Sequence, residues 1–246
     1  MREAVFRFHD ELNDFLPTER RDTEFPHSFL LPASIKDVIE AFGVPHTEVE
    51  LILVNGVPVD FSYLVQDADR VSVYPASASL PVTSVVQLRP QLKVFGFVLD
   101  THLGRLATYL RMLGFDVVYQ NCCDDEELAH ISAAEHRILL TRDRGVLKRG
   151  EVIWGYFVRA TEPRAQLLEV LRRFNLFHLA EPFRRCLRCN SLLQQVSKES
   201  IHDRLPPRTA QCYDNFRICP SCNRLYWPGS HHQHMQRFIE RILSAH

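Results

Sequence analysis

The sequence predicts a three-part α/β chain: a strand-rich front with one helix, a middle built on a parallel sheet with helices on both faces, and a small cysteine-stapled end. Three observations predict it. LILVNGVPV, residues 51–59, reads as two strands about an Asn55-Gly56 turn. From KVFGFVLD at residue 93 onward, apolar strand runs alternate with helical patterns. Near the end, the pairs Cys186/Cys189 and Cys219/Cys222 stand 29 residues apart. A length of 246 residues leaves room for two or three such parts, and 46% hydrophobic with 24% charged residues is the composition of a water-soluble globular chain.

The front part alternates early, at Val5, Phe6 and Phe8, then passes through a polar stretch, LPTERRDTEFPHSF. SIKDVIEAFGV predicts a short helix with Ser34 as N-cap and Gly43 as its stop. The hairpin about Asn55-Gly56 follows, and DRVSVYP supplies a last strand. Strands around one helix with an NGVPV hairpin resemble the β-grasp of small sulfur-carrier and ubiquitin-like proteins, over roughly residues 1–76. Sulfur carriers end in a free Gly-Gly tail, whereas this segment runs on through Tyr74-Pro75-Ala76-Ser77. A packing or protein-interaction role is therefore expected of residues 1–79. SASLPVTSVVQLRP carries two prolines and small polar residues, which places a linker at residues 80–92.

The middle part, residues 93–178, opens with KVFGFVLD, a continuous apolar run of the kind used by strands buried on both faces. Leu103, Leu106, Leu110 and Leu113 share one face of the next helix, which Gly114 ends. FDVVY, RILLT and VIWGYFV read as further strands. DDEELAHISAAEH and RAQLLEVLRRF read as helices, the former with Asp124 as N-cap and Glu127 as its capping-box partner.

In open parallel sheets ligands bind outside the carboxyl ends of the strands. Asp100, Asp124, Asp125 and Asp143 all fall at such ends. Each has a plain structural alternative: Asp100 and Asp124 as helix caps, Asp143 as the closer of a turn before Gly145. Carboxylates sharing a rim repel unless a cation lies between them, and an all-oxygen set suits Mg²⁺ or Mn²⁺. Arg105, Arg111, Arg142 and Arg144 are either guanidinium forks for phosphate or ordinary surface charges. A dinucleotide site is excluded by DTHLGRLA, which lacks its glycines, and no Walker A sequence occurs. His102 stands where an aspartyl phosphatase carries its second Asp.

The end part, residues 179–246, offers four thiolates at the reach of one tetrahedral Zn²⁺, which would be structural because no ligand position stays open. Tyr226 and Trp227 either stack on unpaired bases or pack in the ribbon. His231 and His232 either touch phosphate or pack locally. Charge is graded along the chain: 6 Lys and Arg against 14 Asp and Glu in residues 1–80, but 10 against 5 in residues 178–246. The basic end is where a polyanion would dock. No run approaches a membrane span, and the first residues, MREAVFRFHDELNDF, lack the apolar core of a signal peptide. A reducing cytoplasm and no membrane association are the expectation.

FVLDTHLGRLATYLRMLGFDVVY, DDEELAHISAAEHRILLTRDRG, RCLRCN, CPSCN and YWPGSHHQHM together resemble, over about residues 93–235, the family named after the C-terminal domain of a mutator-class 3′–5′ exonuclease. The resemblance implies a PIN-like RNase domain followed by a zinc ribbon, often preceded by a sulfur-carrier-like ubiquitin fold. It implies Asp100, Asp125 and Asp143 as acidic metal ligands with Asp124 adjacent, and Cys186, Cys189, Cys219 and Cys222 as zinc ligands. The expectation is a Mg²⁺- or Mn²⁺-dependent ribonuclease acting on single-stranded RNA. The alternative is a non-catalytic RNA-binding adaptor whose acidic head recruits a protein, prompted by Arg144 and Gly145 standing where many PIN nucleases place a further Asp. A third idea is a nuclease restrained by that head.

Overall fold

The computed structural model describes residues 1–76, 86–90 and 96–245. In chain order the front carries β1 (Arg2–Phe8), β2 (Phe25–Phe29), α1 (Ile35–Ala41), β3 (Val49–Val54), β4 (Val57–Val59) and β5 (Arg70–Pro75). The middle carries β6 (Gly96–Leu99), α2 (Gly104–Met112), β7 (Asp116–Tyr119), α3 (Asp125–Ala134), β8 (Ile138–Thr141), α4 (Arg144–Leu147), β9 (Gly155–Phe157) and α5 (Pro163–Arg173). The end carries β10 (Gln194–Val196), α6 (Pro207–Cys212), β11 (Phe216–Ile218), β12 (Leu225–Tyr226) and α7 (Ser230–Leu243). Two compact units result, one of residues 1–94 with 123–157 and one of residues 95–122 with 158–246.

In the first unit, five strands in the order β2-β1-β5-β3-β4 form the sheet of a ubiquitin-like fold. The central β1–β5 pair is parallel and its neighbours are antiparallel. Alternation puts Phe6 and Phe8 beneath α1, whose Ile35 and Ile39 are fully buried with them. Ser34 caps α1 by accepting from the Asp37 N–H, and the β3–β4 hairpin turns through Asn55 at φ +51° and Gly56 at +82°, as the sequence predicts. One strand was not anticipated. β2 lies in the polar stretch and contains Pro26, which an edge strand tolerates because its outer N–H needs no partner. Phe25, His27 and Phe29 still alternate: Phe25 packs with Phe8 and Phe42, His27 with Phe6 and Phe42, and Phe29 stacks on His27.

The same unit holds α3, β8, α4 and β9, with β8 and β9 paired in parallel through Leu139–Gly155 and Leu140–Tyr156. The seven-residue strand expected at 152–158 is only three residues long. The reason is that Val152 leaves the strand to offer its carbonyl to His46 Nε2 at 2.8 Å. Glu48 Oε1 accepts from the Phe157 N–H at 2.6 Å, and Lys148 Nζ donates to the Glu40 carbonyl at 2.7 Å. Residues of the ubiquitin-like fold thus complete the packing of β9. The expected linker, 80–92, falls mostly outside the described residues. Within the described part Arg89 is held by the Thr47 and Val49 carbonyls and by Glu50.

In the second unit β6 and β7 are paired in parallel, Gly96 opposite Asp116 through Leu99 opposite Tyr119. The Leu103, Leu106 and Leu110 stripe of α2 is fully buried, together with Phe97, Leu167, Val170 and Leu171. Gly114, at φ +95°, ends α2, and a Cβ there would lie 2.2 Å from the Glu181 carbonyl oxygen, so only glycine lets the ribbon's leading segment approach. β10, β11 and β12 form an antiparallel three-stranded ribbon over a small core of Ile201, Leu205 and Phe216. The sequence reading treated residues 225–235 as an aromatic and histidine cluster and did not foresee α7. Met235, Phe238, Ile239 and Ile242 are spaced as one helical face, and Phe238 meets Tyr109 of α2 with ring centroids 4.7 Å apart. Among the described residues no helix is long and apolar enough to cross a membrane.

Candidate metal centre and nucleic-acid interface

The two cysteine pairs are built from one repeated turn. Each is followed by an asparagine, Asn190 or Asn223, in the left-handed region at φ +71° and +57°. That conformation, which asparagine tolerates better than most residues, returns the asparagine N–H to the carbonyl of the pair's first cysteine, at 3.0 and 2.9 Å. The thiols therefore point out of each turn toward the other pair. Cys186 Sγ lies 3.6 Å from Cys222 Sγ and Cys189 Sγ 3.3 Å from Cys219 Sγ, and all four sulfurs fall within 4.8 Å of one another. A zinc tetrahedron with arms of about 2.3 Å has sulfur–sulfur edges of about 3.8 Å. The donor set and spacing fit, so the cluster can hold a metal such as zinc.

The thiols are tuned unequally. Burial pushes the Cys189 thiol up, but its hydrogen bonds with the Ser191 N–H, with Cys219 and with the Ser191 hydroxyl outweigh it and bring it to about 6. Burial and then hydrogen bonding with its thiol neighbours push Cys222 up to about 12. Cys186 is moved down: burial opposes this, and the Tyr226 hydroxyl, 3.1 Å away, is the largest favourable cause. The same hydroxyl accepts from the Leu187 N–H at 3.1 Å. Through its hydroxyl Tyr226 is a brace for the first cysteine turn.

Arg111 is the other brace. Only 5% exposed, it donates through Nε and Nη2 to the Val117 carbonyl and through Nη1 to the Leu187 and Arg188 carbonyls. Asn190 accepts from the Val117 N–H and donates to Asp116, while Arg185 reaches the Gly114 carbonyl and Asp116. The first cysteine turn is thereby fastened to β7 and α2. Burial lowers the Arg111 pKa, opposed chiefly by Cys186 and Cys189. With its donors committed to carbonyls, Arg111 is a framework residue, which corrects the expectation of a phosphate fork.

The aspartates are divided between the units, Asp100 in the second and Asp124, Asp125 and Asp143 in the first. Asp100 follows β6 and is 6% exposed. It occupies the cap position of a single helical turn, yet its side chain makes no cap bond; Oδ1 accepts instead from the Thr101 hydroxyl at 3.0 Å. Asp124 does cap α3, accepting from the Glu127 N–H at 2.8 Å, and Asp143 caps α4, accepting from the Gly145 N–H at 2.6 Å. Asp125 is an exposed residue in the first turn of α3, and α3 packs against α4. The cap alternative thus holds for Asp124 and fails for Asp100, while Asp143, expected to close a turn before Gly145, bonds the Gly145 N–H as the cap of the single-turn α4.

The arginines flanking Asp143 differ. Arg142 is half-buried. Arg144, though exposed, donates to the Phe15 and Asp14 carbonyls at 3.1 and 3.3 Å and lies over the Phe15 and Phe157 rings, so it clamps the ubiquitin-like fold. Arg105 is exposed on α2.

In the second unit a cleft of about 760 Å³ runs between one face of the ribbon and the start of α7. Trp227, His231 and His232 line it. Trp227 also packs against the Ile201, Leu205 and Phe216 core, as the packing alternative expects. His232 stacks on Phe183 with centroids 4.0 Å apart, and burial first, then Arg217, lowers its pKa. His231 is exposed. The cleft's Gln195, Arg217 and Arg224, and the Phe183 ring, were not singled out by sequence reasoning; the antiparallel strand register was the missing signal.

Among known families, a model described as the Mut7-C RNAse domain matches residues 95–239, and one described as the Mut7-C ubiquitin matches residues 1–81. No curated protein and no solved structure matches the chain.

Proposed function

Since the chain belongs to the Mut7-C RNase family and carries its ubiquitin-like domain in front, we propose that it is a metal-dependent ribonuclease hydrolysing phosphodiester bonds of single-stranded RNA. The observation that carries the reading is Asp100: a buried carboxylate at a strand's end that does not serve as a helix cap. The family resemblance points to Asp100, Asp125 and Asp143, with Asp124 adjacent, as the carboxylates that would hold the ion, and hard carboxylate oxygens suit Mg²⁺ or Mn²⁺. Asp143 and Asp124 each give one oxygen to a helix N–H and keep the other for coordination. The chemistry such an ion would supply is a lowered pKa for its bound water and neutralisation of a phosphodiester oxygen. Arg105, exposed on α2, and Arg142 are the arginines assigned to phosphate, and the cysteine centre, when holding structural zinc, would present the ribbon to RNA. Cleavage of labelled single-stranded RNA with Mn²⁺ tests this. Wild type cuts and Asp100→Asn/Asp143→Asn does not; equal cutting by both would reject it.

The use of Asp124 and Asp143 as caps supports a second reading, a non-catalytic RNA-binding adaptor whose ubiquitin-like head recruits a protein. It is distinguished by salt-sensitive RNA binding without turnover under any divalent ion.

A further inference from the structure

We propose that the ribbon cleft is the RNA grip of this protein: it seats an unpaired base against the Phe183–His232 ring pair and Trp227, and holds the flanking phosphates on Arg217 and Arg224. The inference deepens the ribonuclease reading and rests on it for the choice of RNA as the polymer.

Strand register builds the floor. Gln195 pairs with Arg217 and Arg217 with Tyr226, so one residue from each of three antiparallel strands stands in a row on the same face, and all three line the cleft. Arg224, one residue before β12, has its carbonyl bonded by the Cys219 N–H, which extends the ladder and keeps Arg224 beside that row. Arg217 uses Nη1 on the Phe183 carbonyl at 2.9 Å and keeps its other donors. The Arg224 guanidinium is exposed, and no ion pair to it occurs among the described residues. Three arginines and two histidines line the cleft, and among the described residues no aspartate or glutamate lines it; Arg185 is paired with Asp116, which leaves Arg217 and Arg224 as its cations. Its size falls in the roughly 300–1,000 Å³ range of sites that enclose a small planar group. Cations without acids select an anion, and aromatic rings beside them select one that carries flat bases; single-stranded nucleic acid is recognised by this combination. A duplex keeps its bases paired and offers no ring to the cleft. The lowered pKa of His232 keeps its ring neutral near pH 7, as stacking favours.

Trp227 reports on the site directly, since the chain has two tryptophans. In the zinc-loaded full chain carrying Trp154→Phe, with Asp100→Asn/Asp143→Asn to prevent cutting, added oligoadenylate should quench the remaining tryptophan saturably. Arg217→Ala/Arg224→Ala should weaken binding at least about tenfold and reduce the log–log salt slope by about 0.7 for each guanidinium removed. His232→Ala should weaken it with the slope unchanged. An unaltered thermal midpoint in the arginine variant excludes a folding defect. Equal affinity and slope in wild type and the arginine variant would overturn the proposal while leaving the nuclease reading intact. Tight RNA binding in the cleft with no cleavage by the parent chain would sink the nuclease reading and leave the grip standing. Displacement of RNA by a polyglutamate peptide at lower concentration than by RNA itself would assign the cleft to an acidic protein and overturn the proposal.

Discussion

The four cysteines and the four aspartates draw on equally distant stretches of chain, and their side chains are engaged in different ways. Each cysteine sulfur faces other sulfurs, and the groups around them, Tyr226 and Ser191, bond to sulfur. Two of the aspartates do a second job, holding the first N–H groups of α3 and α4. The thiols serve one purpose, so taking away what they bind tests the fold of the ribbon. Asp124 and Asp143 already hold helix N–H groups, so a substitution there disturbs the backbone as well as any chemistry unless it keeps the hydrogen-bond acceptor.

The largest effect expected from this contrast is on metal removal. Structural zinc contributes about 10–16 kcal/mol of apparent binding free energy in small ribbons. Chelation, or Cys219→Ser, should therefore abolish hydrogen-exchange protection across residues 183–229 while that of β1–β5 persists. Retention of protection in the ribbon would show that its small apolar core is sufficient by itself.

Next comes Arg111→Met. It leaves the Val117, Leu187 and Arg188 carbonyls without this donor, and at about 1–3 kcal/mol for a buried unsatisfied group the loss should be near 3 kcal/mol in urea unfolding. Zinc affinity should fall with it, because the first cysteine turn loses its fastening. A phosphate-contact role alone would leave stability unmoved.

Smaller still are the caps. Asp124→Ala and Asp143→Ala should each cost about 1 kcal/mol, and the Asn variants much less, since the amide oxygen still accepts from the helix N–H. Cleavage should separate the two jobs: Asp143→Asn keeps stability and loses activity. If Asp143→Asn cuts RNA at the wild-type rate, the residue is a cap and nothing more.

The smallest effect is a pH dependence. Burial holds His232 below its usual 6.5, so its contribution to stability is complete above pH 6.5 and is lost as pH falls through the lowered folded value. Urea midpoints of wild type should drop more between pH 7.5 and 5.5 than those of His232→Phe.

What the sequence revealed was local. Ser34, Asn55-Gly56 and Asp124 act on backbone within three residues, and the paired cysteines need only a tight turn to aim two sulfurs the same way. β2 stayed hidden because Pro26 argues against a strand until its edge position is known. Arg144 reads as a flanking charge because its partner, the Phe15 carbonyl, is 129 residues away, and Arg111 meets the Arg188 carbonyl at a separation of 77. A main-chain acceptor has no residue type, so no pattern of letters announces it. The acidic set was legible as a list of candidates, and only hydrogen bonds sort Asp100 from the caps.

The Arg144 clamp carries a consequence for how this chain can be taken apart. The front module grips, by its own main chain, the residue next to Asp143, and it covers Phe157 and the Val152 carbonyl as well. Cutting after residue 80 would bare those surfaces instead of releasing a finished catalytic piece. Grafting the rear two-thirds onto a foreign carrier would need replacements for Phe15, His46 and Glu48, so the head travels with the rest as hull rather than as cargo.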